Sequence, residues 1–328
     1  MVGLRAGTRR ACGLAAGMIG LLSFAGCGGG GGVTAATHAK STASGTTTHA
    51  VATTPPAPPP PPPPPFARLT SSALATGTTG FVPVATWRGH TAASMARTAA
   101  GVALLSFDQR RVALHLHSGT IDAGASGWRF GPSVAGAEGR HLLAAFNGGF
   151  RLSVGAGGFS SYGHVAAPLR PGLGSVVTYA DGHTDVGSWN GEVPKPGQRV
   201  VSVRQNLPLL IDNGAAASNL GCLSCWGATL GGVVDPARSA LGVTANGRLV
   251  WAGGEHLTVS ALADALLGAG VVRAVELDIN PAWVAGYLYG HRGGHGPLAP
   301  VPLVPGQSGI SGEYLAPWSR DFFTVVTR

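Results

Sequence analysis

The 328-residue chain contains only 11% charged residues, and its formal net charge is +8. Globular proteins usually contain about 25% charged residues, and all but two of the basic residues here are arginines. No run of five or more basic residues occurs, which excludes the usual form of a nucleic-acid-binding patch. About 250 residues follow the low-complexity N-terminal region, enough for one domain with a sizeable core.

Residues 1–26 have the pattern of a lipoprotein-type signal peptide. Basic residues precede an uncharged apolar stretch at 11–26 that is short for a membrane span. The stretch ends in Leu-Ser-Phe-Ala-Gly before Cys27, which is similar to a bacterial lipobox. We therefore predict lipidation of Cys27 and anchoring to the outer face of the cell membrane. An ordinary signal peptide, with secretion and an incidental cysteine, is the alternative.

A disordered tether rich in Gly, Thr and Pro is predicted over residues 27–80. Its proline run at 55–65 is interrupted once, and polyproline extends by about 3.1 Å per residue, so the run spans roughly 34 Å. Such a spacer suits a domain that reaches from a membrane into a cell-wall layer. A protein-binding proline-rich motif is the alternative. The folded domain is predicted at 81–328.

Short strands begin this domain, and those at 102–107 and 111–117 are the clearest. The second strand places His115 and His117 on one face, because side chains alternate along a strand. A His-x-His pair can bind a metal, although an exposed polar face is the commoner reason for it. The sequence therefore assigns no cofactor and leaves a divalent cation open.

A buried strand is predicted to run into Asn147, Gly148 and Gly149, and its glycines permit close backbone approach or positive φ. Asn147 either orients a sugar hydroxyl or phosphate oxygen, or serves as a turn residue. Farther on, a hairpin is predicted around the Asp-Gly pair at 181–182. A final strand is predicted at 321–327.

Three polar residues at 204–206 interrupt the apolar run at 200–213. Buried polar groups need partners, so Arg204, Gln205 and Asn206 either line a cleft or cap neighbouring loops. The loop at 281–312 contains several aromatic and histidine residues. These residues suit either sugar stacking or a lid over the core. They are Trp283, Tyr287, Tyr289, His291 and His295.

The remaining cysteines, Cys222 and Cys225, form a CxxC motif. In a secreted chain this spacing favours a local disulfide that pins a glycine-rich loop. A redox pair and half of a zinc site are the alternatives, and the sequence has no second cysteine pair to complete such a site.

Residues 238–280 predict a hairpin, a helix and a strand in direct succession. Asn-Gly at 246–247 separates two apolar runs and suits a type I′ turn. The helix that follows is capped by Thr258 or Ser260 and ended by glycines. One of its faces is apolar: Val259, Leu262, Ala263, Leu266 and Leu267. The strand at 271–279 places Glu276, Asp278 and Asn280 on one face.

Three motifs in order resemble the phosphodiester glycosidase family, and in particular a bacterial branch of it. They are Ala-Phe-Asn-Gly-Gly-Phe at 145–150, Arg-Ser-Ala-Leu-Gly-Val-Thr at 238–244 and Ala-Val-Glu-Leu-Asp at 274–278. The resemblance covers about 87–328 and implies a single α+β domain, a β-sheet with hairpins and packed helices. It implies hydrolysis of a sugar-1-phosphodiester, with Asn147, Arg238 and Asp278 at the positions of the family's site residues.

The chain departs from the family directly after Asp278. Typical members continue with glycines and a serine, whereas this chain has Ile279, Asn280 and Pro281. Proline has no N–H, so fewer backbone amides remain here for a phosphate.

The chemistry of sugar-phosphodiester hydrolysis requires a carboxylate and a cation, and the sequence offers both. Cleavage of a sugar C1–O bond needs a carboxylate at the oxocarbenium-like centre, and arginine binds phosphate through two N–H groups. Asp278 is predicted as nucleophile or base and Arg238 as the phosphate clamp, with Glu276 as a second carboxylate. A structural Asp278–Arg238 ion pair is the alternative. Substrate-binding roles are predicted for Gly148, Gly149, Arg204, Asn206 and Asn280.

The sequence as a whole predicts an extracytoplasmic hydrolase that cleaves sugar-1-phosphodiester bonds in cell-envelope glycans or related polymers. The alternative is a non-catalytic glycan-binding lipoprotein of the same fold. The expected partners are a carbohydrate or sugar phosphate and, through Cys27, the membrane; nucleic acid is not expected.

Overall fold

A computed structural model describes residues 80–227, 232–291, 297–308 and 314–328, together with the backbone of Arg68 and Leu69. The predicted signal peptide, the lipidation of Cys27, nearly all of the tether and the loop residue His295 lie outside these residues. Within the described part of the chain, no helix is long and apolar enough to cross a membrane.

Three sheets of antiparallel strands contain most of the regular secondary structure in the described chain. The first has nine strands, in the spatial order β1 (Arg68–Leu69), β2 (Val82–Trp87), β3 (His90–Arg97), β4 (Ala103–Phe107), β15 (Leu249–Gly254), β14 (Arg238–Thr244), β16 (Val271–Glu276), β12 (Ile211–Asp212) and β13 (Ala215–Ala216). The second consists of β10 (Thr184–Ser188), β9 (Gly174–Tyr179), β11 (Val200–Asn206), β7 (Phe159–Ser161) and β8 (His164–Ala167). The third consists of β18 (Leu298–Pro302), β17 (Gly286–His291), β6 (Leu142–Asn147), β19 (Phe322–Thr327) and β5 (Val112–His117).

The predicted α+β class with packed helices is wrong. Among the described residues the three sheets are accompanied by a single α-helix, α1 (Val259–Gly268), and by 3₁₀ turns of three or four residues. The residue patterns themselves indicated mainly short strands, whereas the packed helices came from the family resemblance. Here one sheet covers another, so the apolar faces are buried without a layer of helices on each side.

The hairpin, helix and strand predicted at 238–280 form, but the turn is not of type I′, because that type needs positive φ at both central residues and Asn246 does not have it. Strands β14 and β15 pair around Gly247, which has a φ of 78°, and Thr258 caps α1 by accepting a 3.1 Å hydrogen bond from the Ala261 N–H. Strand β16 ends at Glu276, three residues earlier than predicted. Asp278 therefore lies on the loop beyond this strand, where its side chain is not confined to the face of a sheet.

Large aromatic side chains form the contact between the first and third sheets. The Phe146 ring of β6 lies 5.8 Å from the Trp251 ring of β15 and 6.3 Å from the Phe107 ring of β4, measured between ring centroids. Such side chains bury 150–250 Å² each. Helix α1 covers the opposite face of the first sheet, where Leu262 and Leu266 belong to the same buried cluster as residues of β14 and β15. This packing fixes the ends of the central strands relative to one another.

Candidate active site

The candidate site lies where strand ends of the first and third sheets meet. In the first sheet Arg238 is opposite Gly254, and Ala240 is opposite Glu276. The end of β15, the start of β14 and the end of β16 therefore share one edge. In the third sheet Phe322 is opposite Asn147, so the end of β6 and the start of β19 share an edge as well. A 2.9 Å hydrogen bond from the Asn147 side chain to the Ser239 hydroxyl joins the two edges.

A cleft of about 610 Å³ opens at this junction. Its charged lining residues are Arg151, Asp235, Glu255, Asp278 and Arg320, and its aromatic ones include Phe150, Trp283 and His256. Asp278 and Asn280 are thus the predicted site residues that line it.

Asp278 is held in one orientation by hydrogen bonds to both of its carboxylate oxygens. Oδ1 accepts bonds from the Ile279 and Asn280 N–H groups, at 2.8 and 3.0 Å, and Oδ2 accepts one from Arg320 Nη2 at 3.3 Å. Burial raises the pKa of Asp278 to about 6, although Arg320 and the two N–H groups oppose that shift. A carboxylate that is buried, oriented and shifted toward neutral pH is typical of active sites.

The segment that departs from the family has a defined structural role. The N–H groups of Ile279 and Asn280 bond the Asp278 carboxylate, and Pro281 has none. The Asn280 side chain in turn accepts a 2.9 Å bond from the Ala282 N–H. These amides therefore orient Asp278 instead of presenting a cradle to a phosphate.

Arg320 is a site residue that sequence reasoning missed. It is only 5% exposed, yet it lines the cleft. Its Nη2 also donates to the Gly149 carbonyl at 2.9 Å, and its Nε forms an ion pair with Asp122. Its guanidinium carbon lies 5.3 Å from the centre of the Trp283 ring, a cation–π distance. In the sequence it is an isolated arginine two residues before a strand, so only the three-dimensional contact identifies it.

Arg238 and Glu276 form a buried pair behind the cleft. Both residues are 0% exposed, and Arg238 Nη1 lies 2.6 Å from Glu276 Oε1. Arg238 also donates to the carbonyls of Leu257 and Trp226, at 2.9 and 3.2 Å. Burial raises the pKa of Glu276 to about 7 against the effect of Arg238. The Asp278–Arg238 pair considered from the sequence does not form, because each residue has another partner.

A second buried ion pair joins Arg204 to Asp321, and the Asn-Gly-Gly segment packs against it. Arg204 Nε donates to Asp321 Oδ2 at 2.7 Å, and the Gly149 N–H donates to the same oxygen at 3.3 Å. A Cβ atom at Gly148 would lie 2.0 Å from Asp321 Oδ2, so glycine is needed there for close approach. Arg204 is 1% exposed and does not line the cleft.

The two other polar residues of the triplet also serve the framework. The Asn206 amide donates to the carbonyls of Glu276 and Leu277, at 2.6 and 2.8 Å. The Gln205 amide donates to the Arg170 carbonyl at 3.0 Å. The structure thus matches the capping alternative for this triplet, because its side chains satisfy backbone groups of neighbouring segments.

The histidine pair and the CxxC motif lie elsewhere. His115 Nδ1 and His117 Nε2 lie 2.9 and 3.0 Å from one oxygen of Glu138. Within the described ranges, no three His, Cys, Asp or Glu residues are grouped to hold a metal ion. Cys222 and Cys225 form the predicted disulfide.

Comparisons with known proteins give distant structural likenesses only. No family model matches the chain, and no curated protein matches it. The catalytic domain of zebrafish N-acetylglucosamine-1-phosphodiester α-N-acetylglucosaminidase, auto-inhibited by its propeptide, has 16% identity and a TM-score of 0.42 over 72% of this chain and 81% of that one.

Two further solved structures are similar to the chain. A hypothetical protein from Synechocystis has 14% identity and a TM-score of 0.43 over 74% of this chain and 63% of that one. A presumed exported protein from Burkholderia pseudomallei has 15% identity and a TM-score of 0.37 over 72% and 75%. These likenesses assign no family, and the functional argument rests on the geometry of the cleft.

Proposed function

We propose that the cleft hydrolyses the glycosidic bond of a sugar-1-phosphodiester, in cell-envelope glycans or related polymers outside the cytoplasm. The observation that carries the proposal is the Asp278 carboxylate, fixed beside Arg320 in a cleft with an aromatic wall. The Cys222–Cys225 disulfide supports an oxidising compartment, and the proposed anchor is lipidated Cys27.

Asp278 acts at the sugar C1 atom in this proposal. Breaking the C1–O bond creates an oxocarbenium-like centre, which a carboxylate stabilises or attacks. With a pKa of about 6, Asp278 is largely ionised at neutral pH. Because both of its oxygens are hydrogen-bonded, little reorganisation is needed when positive charge develops.

The phosphate binds to Arg320 and Arg151, the arginines that line the cleft. Their guanidinium carbons lie 5.3 and 5.9 Å from the centre of the Trp283 ring, which orients both groups. Arg238 is fully buried, so its role is to position Glu276 and the strand ends instead of contacting phosphate directly. Phe150 supplies apolar surface for the sugar ring.

Glu255 is the second carboxyl group. It follows β15 directly and lines the cleft, whereas Glu276 is enclosed behind it. Glu255 Oε1 is buried and has no hydrogen-bond partner among the described residues, and burial raises the pKa of this residue. An unpaired carboxyl group of this kind is suited to exchange a proton with the attacking water.

A glycan-binding protein without activity is the second candidate. It is favoured by one observation: the Ile279 and Asn280 amides are occupied by Asp278, which leaves the arginines as the main phosphate ligands.

Release of free sugar from the methyl phosphodiesters of glucose and N-acetylglucosamine 1-phosphate tests the proposal. Asp278→Asn should abolish release while retaining polymer binding. Asp264→Asn, which changes an exposed residue of α1 outside the cleft, should leave the release of sugar unchanged. Polymer binding without sugar release by the wild type would establish the second candidate.

A further inference from the structure

A second pocket, of about 400 Å³, lies between the second and third sheets. Strand β5 forms one wall, through residues such as His115, and strands β9 and β11 form another, through Thr178 and Ser202. It shares no lining residue with the cleft that contains Asp278. The proposed reaction makes no use of it.

The lining of this pocket is strongly basic. It contains Arg129, Arg199 and Arg328, with Asp181 as its single carboxylate. In the described part of the chain, none of these three guanidinium groups has a carboxylate oxygen within 4.0 Å. Three cations facing one small volume repel one another unless an anion lies among them.

Two of the arginines are held in place without using all their N–H groups. Arg328 Nε donates to the Val112 carbonyl and Nη1 to the Asp181 carbonyl, both at 2.9 Å, and a guanidinium has five N–H groups in total. The guanidinium carbon of Arg129 lies 4.7 Å from the Tyr162 ring centre and 5.7 Å from that of Phe130. Both are cation–π distances, and such a contact uses none of the N–H groups of Arg129 as hydrogen-bond donors.

A hairpin turn presents Tyr162 to the pocket. Tyr162 and Gly163 connect β7 to β8 with φ values of 49° and 86°, and a two-residue type I′ turn requires positive φ at both positions. Tyr162 is 38% exposed and contributes to the pocket wall. Its ring contacts Arg129 and lies 5.8 Å from the Phe130 ring, so the turn holds an aromatic surface beside the arginine.

We propose that this pocket binds the phosphate group of a phosphorylated saccharide. Arginine binds phosphate through paired N–H groups, and the aromatic rings of Tyr162 and Phe130 offer apolar surface to the attached sugar. The volume suits a monosaccharide-sized group. The site binds independently of any activity in the cleft.

Calorimetric titration with glucose 6-phosphate, inorganic phosphate and glucose tests the proposal on the purified protein. Glucose 6-phosphate should bind most tightly, and added salt should weaken it. The double variant Arg129→Gln/Arg199→Gln should lose at least about tenfold in affinity, since two charge-assisted contacts are removed. These side chains are exposed, so the folded state should persist, as the unfolding temperature will verify.

Two variants serve as matched controls. Arg88 also stacks on an aromatic ring, 5.5 Å from the Trp87 centre, but lies outside the pocket, and Arg151 lines the cleft. Arg88→Gln should change the affinity less than twofold. Arg151→Gln removes a phosphate ligand proposed for the cleft, so any binding step that it weakens belongs to the cleft, and the step that the double variant removes should persist in it. Loss of that step in either control, or its persistence in the double variant, overturns the site. Glucose 6-phosphate binding no more tightly than inorganic phosphate overturns the saccharide assignment.

Discussion

Replacing Asp278 by asparagine should stabilise the protein at alkaline pH. The pKa of this carboxyl is raised from 3.8 to about 6 in the folded state, and each unit corresponds to about 1.4 kcal/mol. Well below pH 3.8 the group is protonated in both folded and unfolded states. Between about pH 3.8 and 6 the unfolded state loses the proton that the folded state still binds, so stability falls as pH rises. Above pH 6 the folded state carries the buried charge, and the loss is complete. Asparagine approximates the protonated form, so the gain at pH 8 should be about 3 kcal/mol.

Urea unfolding at pH 8 and at pH 4 measures this effect. The free energy of unfolding of Asp278→Asn should exceed that of the wild type at pH 8, and the two should differ by less than about 1 kcal/mol at pH 4. Asp185→Asn is the control with the opposite sign. Burial alone would raise the pKa of Asp185, but its ion pairs with Lys195 and Arg273 lower it overall. Asp185→Asn should therefore destabilise the protein at pH 8, and by less as pH falls through the folded-state pKa of Asp185.

The result that refutes this reasoning is a loss of stability in Asp278→Asn at pH 8. It would mean that the contact with Arg320 outweighs the burial of the carboxylate. The same outcome would favour a structural role for Asp278 over a catalytic one.

The same geometry predicts how the kcat of sugar release depends on pH and how two further substitutions change stability. The kcat of sugar release should rise as pH increases through about 6, because ionised Asp278 is required; a rate that falls there would make Asp278 a general acid. Arg238→Ala should lower the free energy of unfolding at pH 8 by about 3–5 kcal/mol, because Glu276 is left buried without its cation, and an effect under 1 kcal/mol in urea unfolding would contradict this. Gly148→Ala should lower the free energy of unfolding by more than about 2 kcal/mol in the same measurement, since the added Cβ meets Asp321. At Gly139 an added Cβ meets nothing within 4 Å, so Gly139→Ala should be nearly neutral.

Signals that depend on neighbouring residues were readable from the sequence. The Asn-Gly turn, the Thr258 cap and the period of α1 each involve residues within a few positions of one another. The strand end that carries Asn147 follows from the sequence for the same reason, whereas β16 ends two residues before Asp278. The disulfide joins cysteines only three positions apart.

Contacts between segments that lie far apart in the chain cannot be predicted from these local patterns. Arg320 reaches Asp278 across 42 positions, and Arg204 reaches Asp321 across 117. The alternation of side chains predicts which face of its strand each residue occupies, but it does not predict which sheet packs against that face. An Asp278–Arg238 ion pair is therefore only one of two alternatives that the sequence offers, whereas the register of β14 and β16 brings Arg238 to Glu276. The predicted fold class is wrong for the same reason, because the class depends on contacts between distant segments that pack one sheet on another.

If the cleft acts as proposed, its charge balance should influence the pH at which a phosphodiester is turned over. Three carboxylates and two arginines line it when all are ionised, so an anionic substrate is repelled at high pH. Burial raises the pKa values of Asp278 and Glu255, so each carboxyl group ionises at a higher pH than it would in water, and the repulsion develops at a correspondingly higher pH. Ionisation of Asp278 therefore favours the chemical step, whereas ionisation of Glu255 weakens substrate binding. The two effects have opposite signs, so kcat/KM should pass through a maximum while kcat continues to rise.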